Sequence, residues 1–270
     1  MKKHVGRWVR GARGAGHALF ERVPAVPSGV KLEVIGTSHE GRDIECYTFG
    51  TGARHVVVAC AIHGNEVGTV KLGRHVLHWL AQHERVLGNA TYHVIPVLNP
   101  DGYALAQKHP DYAGGGREGR VNARQVDLNR NFDTPTFKTE SVWAHGKDYS
   151  ETRSVSCGAG PRSEPETQAL VRLIEKYHAA VLWSFHNAGG DVGGNDTPLS
   201  KLLVQCFSDA TGFRSLACDD WKRLGQTGTA TEWCDIHHVA YLEIEGTTRW
   251  GSDWKRQFPG IRAVIDLLAS

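Results

Sequence analysis

Apolar residues in this chain fall into short, almost unbroken runs separated by stretches with helical spacing. HVVVACA at 55–61 and AVLWSF at 180–185 read as strands buried on both faces of a sheet, with further strands at 43–49 and 91–97. Between them, Val67, Val70, Leu77 and Leu80 share one face of a helix spanning 66–83. Leu170, Ile174 and Tyr177 do the same within 164–177, and Ile261, Val264, Ile265 and Leu268 stripe a C-terminal helix. Ser163 and Glu166 have capping-box spacing at the start of the 164–177 helix. The alternation predicts an α/β fold, a mixed, largely parallel twisted sheet with helices on both faces. No internal repeat or linker divides the chain, so a single domain over 1–270 is expected, with 1–28 as a peripheral N-terminal segment.

Composition narrows the function classes. With 270 residues, 40% hydrophobic and 22% charged, the chain can bury a substantial core. A net charge of +2 gives no electrostatic case for nucleic acid or an anionic membrane. The basic start (Lys2, Lys3, Arg7, Arg10, Arg13) reads as a solvated terminus. No apolar run approaches the roughly 18 residues of a membrane span, and the first residues lack the apolar stretch of a secretory signal. The six cysteines are scattered without a CxxC pair, which points to reduced thiols in a cytoplasmic protein.

In α/β sheets ligands gather beyond the carboxyl ends of strands. AIHGNE, VLNPDG and SFHNAGG all fall at such ends. In HGNE, His63 and Glu66 stand three apart, where a tight turn relieved by Gly64 can aim imidazole and carboxylate at one cation. His186 supplies a third ligand, which matches a catalytic zinc with three N/O ligands and one open position. Each piece has a plainer reading: HxxE also describes ordinary surface residues, and a strand-end His before Asn-Ala-Gly-Gly can cap a loop.

HGNE, NPDGY, RVNARQVDLNRNF, SEPETQAL, SFHNAGG and YLEIE occur in this order, and with them the chain resembles the zinc metallocarboxypeptidase family over roughly residues 36–245. The bacterial branch that includes murein peptide amidases looks most similar. The resemblance implies one Zn2+ on His63, Glu66 and His186, with Asp127 orienting His63. It implies Arg120 as the cation that polarises the scissile carbonyl, with Arg124 as a neighbour that could take that place. Asn129 and Arg130 would hold a substrate carboxylate. Glu243 would be the general base; Glu245, on the same strand face, competes for the role.

The expected reaction is hydrolysis of a peptide or small amide bond next to a residue with a free carboxylate, of the carboxypeptidase or murein-peptide amidase type. The alternatives are a zinc-dependent deacylase of N-acyl amino acids, resembling aspartoacylase and succinylglutamate desuccinylase, and a catalytically dead binding module on the same fold. One departure concerns a tyrosine that the family's peptidases carry about two dozen residues before the catalytic glutamate. WKRLGQTG has none, and Trp221, Arg223 or Gln226 would occupy its space. Residues 108–120, rich in glycine, form either a lid or a long loop.

Overall fold

Eight strands build one sheet with the expected buried centre. The computed structural model describes residues 21–109, 119–146 and 149–270. The basic positions between Lys2 and Arg13, and most of the 108–120 segment, lie outside those residues. Strands β1 (Lys31–Thr37), β2 (Asp43–Phe49) and β3 (Arg54–Cys60) lead into helix α1 (Val67–Gln82). Strand β4 (Ala90–Ile95) precedes α2 (Pro100–Lys108). Strands β5 (Glu140–His145) and β6 (Glu151–Ser156) form a separate antiparallel ribbon before α3 (Pro165–Tyr177). The chain continues through β7 (Val181–Asn187), β8 (Asp191–Gly194), α4 (Pro198–Thr211), β9 (Arg214–Ser215) and α5 (Asp220–Arg223). It ends with α6 (Ala230–Ile236), β10 (Ala240–Gly246) and α7 (Trp254–Ala269).

The sheet order is β1-β2-β4-β3-β7-β10-β8-β9. Its centre, β4-β3-β7-β10, is parallel, while β1, β2 and β8 run antiparallel to their inner neighbours. Alternate residues of each central strand feed two different cores. Val56, Val58, Trp183 and Phe185 pack against α1, α4 and α7. Val57, Ala59 and Leu182 pack against α3 and α6 on the opposite face. That explains why the central strands read as continuous apolar runs. Burying leucines such as Leu72, Leu77 and Leu80 of α1 contributes about 1.5–3 kcal/mol each. No helix among the described residues is long and apolar enough to cross a membrane.

The capping box expected at Ser163 and Glu166 does not form. The residue preceding α3 is Glu164, whose side chain makes no capping bond. Its backbone N–H donates instead to Asn131 Oδ1 at 3.1 Å, and Ser163 Oγ donates to Glu164 Oε1 at 2.7 Å. Glu166 is fully buried and accepts from Asn122 Nδ2 at 3.2 Å. Pro165 at the first helical position has no N–H to satisfy, and the neighbouring acids are drawn into a buried amide network.

His93 of β4 lies beneath Tyr177 of α3, ring centroids 4.0 Å apart, and its Nε2 meets His55 Nδ1 at 3.0 Å. Burial, with His55 adding, pushes the His93 imidazole down to about 4 from 6.5. A folded-state value depressed in this way contributes stability above pH 6.5 that is lost as pH falls through 4. The variant His93→Gln should therefore lose less stability between pH 7 and pH 5 than the parent in urea melts. Equal acid sensitivity would refute the assignment.

Candidate metal centre

The carboxyl ends of β3, β7 and β10 deliver the chemistry to one cleft of about 400 Å³. His63 follows β3, and Glu66 is the residue just before α1. Its side chain makes no capping bond to that helix and turns to the two histidines instead. Gly64 is required by close approach: a Cβ there would lie 2.2 Å from the backbone of Gly102 at the start of α2. The NPDG segment thereby proves architectural. Asn99 caps α2 by accepting from Gly102 N at 2.9 Å, and its Nδ2 reaches the carbonyls of Ile62 and Arg120. Asp101 accepts from Ser38 Oγ at 2.6 Å and Glu40 N at 2.9 Å, fixing the loop between β1 and β2.

His63, Glu66 and His186 are buried and offer ligand atoms all within 4.8 Å of one another. His63 Nδ1 and His186 Nδ1 face each other at 3.2 Å, and His63 Nδ1 lies 2.9 Å from Glu66 Oε1. Two nitrogens on one tetrahedral zinc at about 2.0–2.1 Å would sit about 3.3 Å apart. Glu66 Oε2, 3.2 Å from His186 Nδ1, is buried without a hydrogen bond. Facing nitrogens and an orphaned carboxylate oxygen are what a cation would satisfy, so the residues present fit a single Zn2+.

Electrostatics point the same way. Burial alone would raise the Glu66 carboxyl, but His63 and His186 hold it far below the carboxylate range. Burial opposes charge on His186, yet Glu66 and then Glu243 outweigh it and lift the imidazole to about 9. A proton on His186 and a metal ion thus compete for the same negative site.

The distal nitrogens are held from behind. His63 Nε2 meets Asp127 Oδ1 at 3.2 Å, and His186 Nε2 meets Ser184 Oγ at 3.0 Å. Asp127 is fully buried; burial alone would raise its carboxyl, but Arg120 and His63 keep it well below its usual range. Its Oδ2 accepts from Arg120 Nε at 2.9 Å, and Arg120 Nη1 lies 3.8 Å from Glu66 Oε1. Arg124, by contrast, is exposed and faces a separate surface hollow. Asn122 Oδ1 accepts from the N–H groups of Arg124 and Val126, and this turn directs Arg124 away from the cleft.

Asn129 and Arg130 line the cleft within a short 3₁₀ turn. Asn129 Oδ1 accepts from Ala230 N at 3.0 Å, and Arg130 Nε donates to Val142 O at 3.0 Å. Glu243 and Glu245 both line the cleft from β10, level in register with Ser184 and His186 of β7. Glu243 Oε2 accepts from Tyr241 Oη at 2.6 Å and lies 3.8 Å from His186 Nε2. Burial, with Glu66 and Glu243 adding against His186 and Arg120, pushes Glu245 up to about 8.

Where a tyrosine was missing, Leu224 and Gln226 line the cleft, while Arg223 Nε donates to Asp220 at 2.8 Å. The side chain of Trp221 lies outside those described. Two other phenols stand in the cleft wall. Tyr241, two residues before Glu243, could have been found from strand periodicity; Tyr149, whose hydroxyl donates to Asp191 Oδ2 at 3.1 Å, had no sequence signal.

Comparison with known proteins agrees with this geometry. A family model described as zinc carboxypeptidase matches residues 18–192. Carboxypeptidase Z of Mus musculus is 32% identical over 220 residues, covering 69% of this chain and 32% of that protein. This chain therefore spans about a third of that relative. Murein peptide amidase A of Escherichia coli K12 is 34% identical over 119 residues, covering 43% of this chain and 44% of that one. Among solved structures, murein-tripeptide amidase from Escherichia coli O157 superposes with a TM-score of 0.67 at 25% identity, covering 91% of this chain and 94% of that chain. Bovine thrombin-activatable fibrinolysis inhibitor shares the fold at a TM-score of 0.70 and 17% identity, covering 97% of this chain and 94% of that chain.

Purified protein should hold one zinc per chain by elemental analysis, and His186→Ala should hold far less. Asp127→Asn should weaken zinc affinity about 10–100-fold in competition with a chelator. Unchanged affinity would mean that Asp127 does not orient His63.

Proposed function

Because the chain belongs to the zinc carboxypeptidase family, we propose that it hydrolyses a peptide or peptide-like amide bond beside a residue bearing a free carboxylate. The observation that carries this reading is the cation-ready trio His63, Glu66 and His186 in one cleft with Arg120, Glu243 and Arg130. The site draws on residues between 63 and 245, from the ends of neighbouring strands of one sheet and from the segment between α2 and β5, which supports one catalytic domain over 1–270. Six unpaired cysteines support a cytoplasmic setting, and a net charge of +2 supports a small substrate over nucleic acid.

His63, Glu66 and His186 would hold the zinc ion, which when bound would provide Lewis acidity at the scissile carbonyl and lower the pKa of a water molecule. The chain's own residues do the rest. Glu243, oriented by Tyr241, takes a proton from the attacking water and passes it to the leaving nitrogen as the C–N bond breaks. Glu245, level with His186 in the neighbouring strand, is the competing candidate for the base. Arg120 offers fixed N–H donors to the developing oxyanion. Arg130, with Asn129, binds the carboxylate of the product amine; burial lowers its guanidinium's pKa, but that group stays a cation at physiological pH.

Resemblance to the murein-tripeptide amidase supports an amidase acting on short peptides. A digest of dipeptides, a murein tripeptide and small N-acyl amino acids, with zinc and with chelator, tests the reading. Release confined to the N-acyl amino acids would replace it with the deacylase. Glu243→Gln should retain zinc and lose at least about 10³-fold in kcat; full turnover would remove Glu243 from the role. Arg130→Ala should raise KM mainly for substrates with a free carboxylate, and an equal loss on amidated ones would refute the anchor.

A further inference from the structure

A guanidinium that must present one N–H edge to a reacting oxygen needs two constraints, one within its plane and one perpendicular to it. Arg120 has the first in the 2.9 Å bond from Nε to Asp127 Oδ2. That bond alone leaves the plane free to rock about the Nε–Oδ2 line. The second is supplied by Trp143, whose indole face lies under the guanidinium carbon at 4.6 Å to the ring centroid. Trp143 is 8% exposed, sits in the cleft wall and belongs to β5 of the separate ribbon.

The ribbon is itself fixed. Asp127 N donates to Ser156 O at 2.9 Å, tying β6 to the segment that carries Asp127, and Cys157 N donates to Thr139 O at 2.9 Å, extending the pairing of the ribbon's own two strands. The residue before Trp143, Val142, gives its carbonyl to Arg130 Nε. One strand thus backs both Arg120 and Arg130, and the indole lies closer to Arg120 than to Arg153, whose guanidinium carbon is 6.0 Å from the ring centroid.

We propose that Trp143 is a positioning residue for the hydrolytic reaction: its ring fixes the plane of Arg120 so that the guanidinium edge meets the developing oxyanion. This rests on the role given to Arg120 above. Since the stack acts on an interaction that strengthens in the transition state, its loss is read in kcat with KM little changed.

The test is a double-mutant cycle on the zinc-loaded enzyme with the peptide substrate that the digest identifies, using Arg120→Ala, Trp143→Leu, Trp143→Phe and the combination of Arg120→Ala with Trp143→Leu. Trp143→Leu should lower kcat about tenfold with zinc content and KM retained, and Trp143→Phe, which keeps an aromatic face, should retain more than half of the activity. In the Arg120→Ala background Trp143→Leu should cost nothing further. An equal loss in both backgrounds, or a Phe variant as impaired as the Leu variant, overturns the proposal while leaving Arg120 in place. If Arg120→Ala is itself unimpaired, the role of Arg120 fails first and the proposal falls with it.

Discussion

Asp127 is the residue on which the rest of the site leans. Its carboxylate meets His63 Nε2 with one oxygen and Arg120 Nε with the other, and Oδ1 also accepts the N–H of Asn129 that opens the 3₁₀ turn leading to Arg130. A fully buried charge costs several kcal/mol, and here that cost is offset only because each oxygen has a partner of the right sign or polarity. A metal ligand and the two arginines proposed as oxyanion donor and carboxylate anchor are thereby referred to one pair of oxygens. Displacing Asp127 would disturb all three.

The sheet decides where that arrangement can exist. Parallel strands end side by side, so residues distant in sequence, His63 after β3 and His186 on β7, arrive together because β3 and β7 are hydrogen-bonded neighbours. β10 beside β7 then brings Glu243 level with Ser184 and Glu245 level with His186.

What the sequence disclosed followed the physical range of each interaction. Continuous apolar runs marked the central strands, since burial on two faces leaves a local trace. HGNE and the strand-end His186 were visible because the ligands lie beside such runs. The capping box was misread: Glu166 has the right spacing, but Asn122 and Asn131 reach the segment from elsewhere in the chain. Arg120 was favoured over Arg124 by resemblance alone, because the Asn122 turn that carries Arg124 away from the cleft has no signature in spacing. Trp143 and Tyr149 left no trace at all, because a ring stacked on a distant guanidinium or a phenol donating to Asp191 has no periodicity to betray it.

The two histidines meet the cation site through Nδ1, with Nε2 turned back into the protein. Nδ1 is the ring nitrogen closer to the main chain, so the lever arm from backbone to metal is short and little rotamer freedom separates them. The coordinates of the site are then set by the ends of β3 and β7, within the roughly 0.5 Å that a preorganised centre tolerates. Repacking beneath those strands, for instance where α1 meets Val58 and Cys60, would be transmitted to the ligand nitrogens almost undamped. In this molecule metal affinity doubles as a gauge of core packing.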